Sequence, residues 1–163
     1  MDKGFNLTTL LHDILAAKKP IRKWQDFEEL VATCCQKQDP ACVRNKDIDP
    51  DITLSNGYGI EAKSVNSATR PGINLNSAAP DPNTYYVIGY YRGTVQNIAI
   101  VSGANFSCSE IDDIKKINTS LRDLSNPYVK YRTRVMWQMK SPFVIWGRKN
   151  FVVDNLGKVT LCN

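Results

Sequence analysis

The sequence predicts a single α/β (α+β) domain, and three observations carry that prediction. Two amphipathic helical stretches open the chain. Two continuous apolar runs, residues 85–91 and 95–101, read as strands from the middle of a sheet, because strands buried on both faces lose the polar alternation. Between the helical stretches and these strands, two apolar-rich runs, 52–55 and 58–65, are joined by Asn56-Gly57, the strongest short hairpin signal. With 163 residues the chain is long enough for one sizeable core, and 42% hydrophobic with 23% charged content is ordinary for a globular domain.

The elements follow in order. Residues 7–17 read as a helix with Asn6 or Thr8 as cap and Leu10, Leu11, Ile14 and Leu15 at helical spacing; Lys18-Lys19-Pro20 ends it. A second helix is expected from Ile21 or Lys23 to Gln36, with Trp24, Phe27, Leu30, Val31 and Cys34 as its apolar stripe and Glu28 and Glu29 in its middle. Residues 37–48 form a connection, and the Asn-Gly hairpin follows, expected as a type I′ turn. Residues 66–83, rich in Asn, Ser, Pro and Gly, read as a long loop. A helix over 109–124 is predicted by Ile111, Ile114, Ile117 and Leu121, with Glu110, Asp112 and Asp113 in its dipole-favoured first turn. Short strands are expected near 129–137, 142–146, 150–154 and 158–162. No internal repeat, low-complexity segment or domain boundary is visible.

Composition narrows the function classes. No run of about 18 apolar residues exists, so no membrane span is expected. The N-terminus lacks the order of a signal peptide, and the five cysteines (34, 35, 42, 108 and 162) fit neither paired disulfides nor a zinc pattern. An intracellular, cytoplasmic chain with free thiols is expected. Net charge is +5, compatible with a polyanionic partner. Lys130, Arg132, Arg134, Lys140, Arg148 and Lys149 lie in one stretch without an acidic residue, interleaved with Tyr128, Tyr131, Trp137 and Trp146. Such a surface suits phosphate contact; strands with outward bases and inward aromatics give the same pattern.

The chemistry concentrates in the hairpin. Asp51 stands at the start of its first strand. Glu61 and Lys63 lie on the second, and period-two alternation sends both to one face with Ala62 on the other. Two carboxylates and an ammonium then converge on one point. Mg²⁺ takes hard oxygen ligands and usually only one or two carboxylates; Asp51, Glu61 and the Ala62 carbonyl are the expected ligands. Lys63, kept protonated by the carboxylates, suits an orienting and electrostatic role better than that of a general base. A solvated strand face offers the same residue types.

Pro50-Asp51 followed by Glu61-Ala62-Lys63 across a hairpin resembles the PD-(D/E)xK nuclease superfamily, which includes type II restriction endonucleases. The run Arg70-Pro71-Gly72-Ile73-Asn74-Leu75-Asn76-Ser77-Ala78 is similar to the loop after the motif in the NgoPII-like group of those enzymes. The matching segments span roughly residues 45–105. The resemblance implies a central mixed β-sheet flanked by helices and a Mg²⁺-dependent DNA endonuclease, usually dimeric, that leaves 5′-phosphate and 3′-hydroxyl ends. It also implies an accessory acidic residue on the preceding helix, a role for Glu28 or Glu29, although both equally suit a solvent-facing surface. Arg70, Asn74, Asn76 and Ser77 carry groups that read base edges or hold phosphates, and Asn and Ser also simply cap turns. Arg132, Arg134, Lys140 and Arg148 are the expected phosphate contacts.

The leading expectation is therefore a restriction-type enzyme cutting double-stranded DNA, with a symmetric homodimer supplying one site per strand. No nucleotide cofactor is expected. A structure-selective nuclease of the junction-resolvase kind, a non-catalytic DNA-binding module of the same fold, and a small α/β binding protein with an accidental motif are the alternatives.

Overall fold

The computed structural model describes residues 4–67, 72–76, 80–106, 116–117, 119–120, 137–145 and 147–163. A seven-stranded mixed sheet is the frame. Its order is β1 (Val43–Arg44), β2 (Ile52–Thr53), β3 (Gly59–Val65), β5 (Thr84–Arg92), β6 (Thr94–Ser102), β8 (Phe151–Val153) and β9 (Val159–Leu161). β3 runs parallel to β5 and β6 parallel to β8; the remaining neighbours are antiparallel. β4 (Gly72–Asn76) and β7 (Trp137–Lys140) form a separate two-stranded antiparallel sheet.

Helices α1 (Leu7–Ala17) and α2 (Trp24–Gln38) cover one face of the large sheet. Asn6 caps α1, its side-chain oxygen accepting from the Thr9 N–H at 2.9 Å. Leu10, Leu11 and Ile14 of α1 and Phe27, Leu30 and Val31 of α2 bury against Ile60, Val87, Ile98, Ile100 and Val152. The alternate positions, Val65, Tyr86, Ile88, Tyr90, Ala99, Val101 and Phe151, form a second core on the other face. Ile73 of β4 and Phe143 of the short helix α3 (Pro142–Ile145) join that second core. Both faces of β5 and β6 are thus buried, as their continuous apolar runs require.

Several boundaries differ from expectation, each for a physical reason. The Asn-Gly turn is not type I′. Gly57 has φ of 86°, whereas Asn56 is not among the positive-φ residues. Leu54 N–H bonds Tyr58 C=O at 2.8 Å and Gly57 N–H bonds Leu54 C=O at 3.0 Å. This is a three-residue loop with glycine in its left-handed position, the next commonest hairpin solution. The 66–83 segment is not all loop, because Gly72–Asn76 pairs with Trp137–Lys140, and a partner more than sixty positions away leaves no local signature. Residues 142–145 are helical rather than extended, with Pro142 at the first position, where its missing N–H costs nothing. Trp24 leaves the α2 stripe and is 60% exposed. Of the predicted 109–124 helix, Lys116, Ile117, Thr119 and Ser120 are described and helical; its other residues, and most of the 129–137 strand, lie outside the described residues. Cys34, Cys35, Cys42 and Cys162 are free, and burial pushes the first three thiols up in pKa, as suits core rather than reactive cysteines. Among the described residues no helix is long and apolar enough to cross a membrane.

Candidate active site

β2 pairs only with the first two residues of β3. Beyond Ile60 that edge of β3 is open among the described residues, and Asp51 stands at the point where the two strands part. The Ala62 N–H donates to Asp51 Oδ2 at 2.8 Å, and the Asp51 N–H donates to Glu61 Oε2 at 3.1 Å. The Lys63 ammonium donates to Glu61 Oε1 at 2.6 Å. A strand residue's N–H and C=O point to the same side, so the Ala62 carbonyl also faces the open edge. The expected convergence of Asp51, Glu61, Ala62 and Lys63 is therefore present, carried by hairpin register and strand alternation.

These groups form part of a cleft of about 480 Å³, whose walls also include Trp24, Glu28, Asn45, Asp47, Ile48 and Asp49. Glu61 is 3% exposed, and the Lys63 side chain 14%. Burial raises the Asp51 pKa to about 6; the Ala62 N–H opposes, Glu28 adds, Lys63 opposes and Asp49 adds. Burial likewise raises Glu61, against the hydrogen bond and charge of Lys63. Among the described residues, five carboxyl groups and one lysine line the cleft. That imbalance, with a buried and a partly buried carboxylate and an edge carbonyl converging, is a hard-oxygen donor set short of positive charge. It fits the one or two carboxylates that Mg²⁺ takes. Among the described residues there is no group of three or more His, Cys, Asp or Glu that could form an all-side-chain cage.

Local structure explains the placement. Asn45 braces the turn into the hairpin: its Nδ2 donates to Pro50 C=O at 2.7 Å and Thr53 Oγ1 at 2.9 Å, and its N–H donates to Asp51 C=O at 2.8 Å. Pro50 packs over Gly59, where a Cβ would come within 2.5 Å of Pro50 Cγ. Asp39 ties down the hairpin loop by accepting from the Ser55 N–H at 2.7 Å. On α2, Glu28 reaches the cleft and lies 4.0 Å from the Arg44 guanidinium. Glu29 does not; it is exposed and pairs with Lys19 at 3.7 Å.

The expected DNA-contact residues are scattered. Arg70, Ser77, Arg132 and Arg134 lie outside the described residues. Asn74 is exposed on β4, opposite Gln138; Asn76 and Lys140 occupy strand positions opposite Trp137 and Gly72. Arg148 is exposed beside Lys149 near the chain end, in a separate hollow with Asn150 and Leu161. It precedes β8, three strands and roughly 14 Å across the sheet from β3, so it does not line the cleft. Sequence reasoning missed Asn45, Trp24, Ile48 and Asp49. Only Trp24 carried a signal, as a large indole on the first residue of a helix.

No family model, no curated protein and no solved structure matches the chain.

Proposed function

We propose that this protein is a Mg²⁺-dependent endonuclease of PD-(D/E)xK type that hydrolyses DNA phosphodiesters, with Asp51, Glu61 and Lys63 as its catalytic residues. One observation carries the reading. Asp51, Glu61, the Ala62 edge carbonyl and the Lys63 ammonium meet in one acidic cleft, wired to each other by three hydrogen bonds. The Asp51 and Glu61 carboxylates and the Ala62 carbonyl would hold the metal, which when bound supplies Lewis-acid polarisation and a water of lowered pKa. Lys63 then holds an ammonium beside the attacked phosphate and stabilises charge developing on its oxygens. Asn45 and Gly59 fix the turn that aims Asp51. Glu28 is the accessory carboxylate in this scheme.

Within this class we favour a restriction-type enzyme acting on double-stranded DNA as a homodimer. The Arg70–Ser77 segment supplies groups that read base edges, and one such site per chain needs a second copy to cut both strands. The structure-selective nuclease is the second reading, and Trp24, exposed in the cleft, favours it. The test is incubation of the purified protein with plasmid DNA, with and without Mg²⁺, beside Lys63→Ala. Discrete Mg²⁺-dependent fragments that vanish in the variant support the leading reading. Cleavage of branched or tailed DNA alone supports the second. Binding with no cleavage of any DNA overturns both.

A further inference from the structure

Trp24 is out of place for a structural residue. Helical spacing puts it on the same stripe as Phe27, Leu30, Val31 and Cys34, all of which are buried. It is 60% exposed instead, on the first turn of α2, and Ile48 is 66% exposed. Both line the cleft that holds Asp51, Glu61 and Lys63. Large apolar groups left in water cost free energy that packing would recover, and such departures from a chain's own pattern concentrate at functional positions.

The surroundings select the occupant. Arg22 and Lys23 precede the indole in the chain, Lys46 lies two residues before Ile48, and all three are exposed. None of the three lines the acidic cleft itself, so they are placed to meet a backbone outside it while a base enters. An exposed ring with cations close by in the chain is a combination that serves single nucleic-acid strands, bases stacking on the ring while cations meet the backbone. A base paired inside a duplex has no free face to offer. From this we infer that Trp24, seconded by Ile48, is a stacking platform for an unpaired nucleobase adjacent to the phosphodiester at Asp51, Glu61 and Lys63. The inference rests on the nuclease reading for the position of the phosphate. It sides with the structure-selective second reading, since the preferred substrate is then a DNA with a tailed, frayed or extruded base next to the scissile bond.

The experiment compares two DNAs, a blunt hairpin duplex and the same hairpin with a short single-stranded tail carrying 2-aminopurine. Each is titrated with wild type, Trp24→Ala, Trp24→Tyr and Lys63→Ala, first without Mg²⁺ for binding and then with it for cleavage. Expected results are quenching of 2-aminopurine by wild type and about tenfold weaker binding of the tailed DNA by Trp24→Ala, the size of one stacked base. Trp24→Tyr should restore most of it, and blunt duplex should be nearly indifferent. Lys63→Ala should keep the preference for the tailed over the blunt DNA and the 2-aminopurine quench while cutting at least about 100-fold more slowly. Equal loss on both DNAs, or no effect of Trp24→Ala, overturns the platform even if cleavage is observed. Trp24-dependent binding of the tail with no cleavage by any protein leaves the platform standing and sinks the nuclease reading. Absence of binding to either DNA overturns both.

Discussion

At the scale of single residues, Asp51 and Lys63 make opposite demands on the same cleft. Burial lifts the Asp51 pKa to about 6 from 3.8. In the unfolded chain the carboxyl loses its proton first, so between about pH 4 and pH 6 the folded state binds more protons. Rising pH therefore erodes stability across that window, and the penalty is complete above it. Asp51→Asn keeps an acceptor for the Ala62 N–H and removes the ionisation. It should match wild type in thermal stability at pH 4 and exceed it at pH 8 by a few degrees, less than the full shift would give because the carboxyl is only partly buried and solvent screens it. Melting curves at the two pH values check this; an equal gain at both would show that desolvation of the charge is not its cause. Lys63 tests the other side. Lys63→Ala should lower DNA cleavage by about 100-fold or more, the loss seen when a charge-stabilising donor is removed, while leaving the DNA-binding constant nearly unchanged. Single-turnover cleavage beside a binding titration separates the two.

At the scale of elements, the hairpin and α2 meet the sheet through two glycines. A side chain at Gly59 would strike Pro50, and one at Gly89 would strike the Phe27 ring. Gly59→Ala should push the Pro50-Asp51 turn off its position, costing about 1–3 kcal/mol in stability and about 100-fold in cleavage, because small misplacements of reacting groups are expensive. Circular dichroism melts and cleavage assays check it; a variant destabilised but fully active would show that the turn does not aim Asp51. Gly89→Ala bears on the helix layer instead and should lower stability with less effect on the cleft. The hairpin was readable because its signals are local: Asn56-Gly57, the alternation along 58–65, and Asp51 ten residues before Glu61. The turn class was not, since three-residue and two-residue loops share the same dipeptide. β4 was hidden because its partner is distant in sequence. Trp24 was misread because periodicity says which face of a helix a residue occupies, not whether that turn still lies over the sheet.

At the scale of the whole molecule, the proposed function would make the acidic cleft couple metal binding to stability. Among the described residues five carboxyl groups and one lysine line the cleft, and burial disfavours the ionised form of Asp51 as pH rises. A divalent cation on Asp51 and Glu61 would act in the opposite sense, because protons and metal compete for the same oxygens. Mg²⁺ at about one hundred times its dissociation constant should add roughly 2.7 kcal/mol to wild type at pH 8, a melting-temperature rise of several degrees. The increment should shrink toward pH 5, as Asp51 takes up its proton. It should be absent from Asp51→Asn at every pH, and small in Glu61→Gln. Differential scanning calorimetry against Mg²⁺ concentration at both pH values measures it without any DNA. A pH-independent increment, or one that survives Asp51→Asn, would place the cation elsewhere and remove the metal from this cleft, whatever the protein does to DNA.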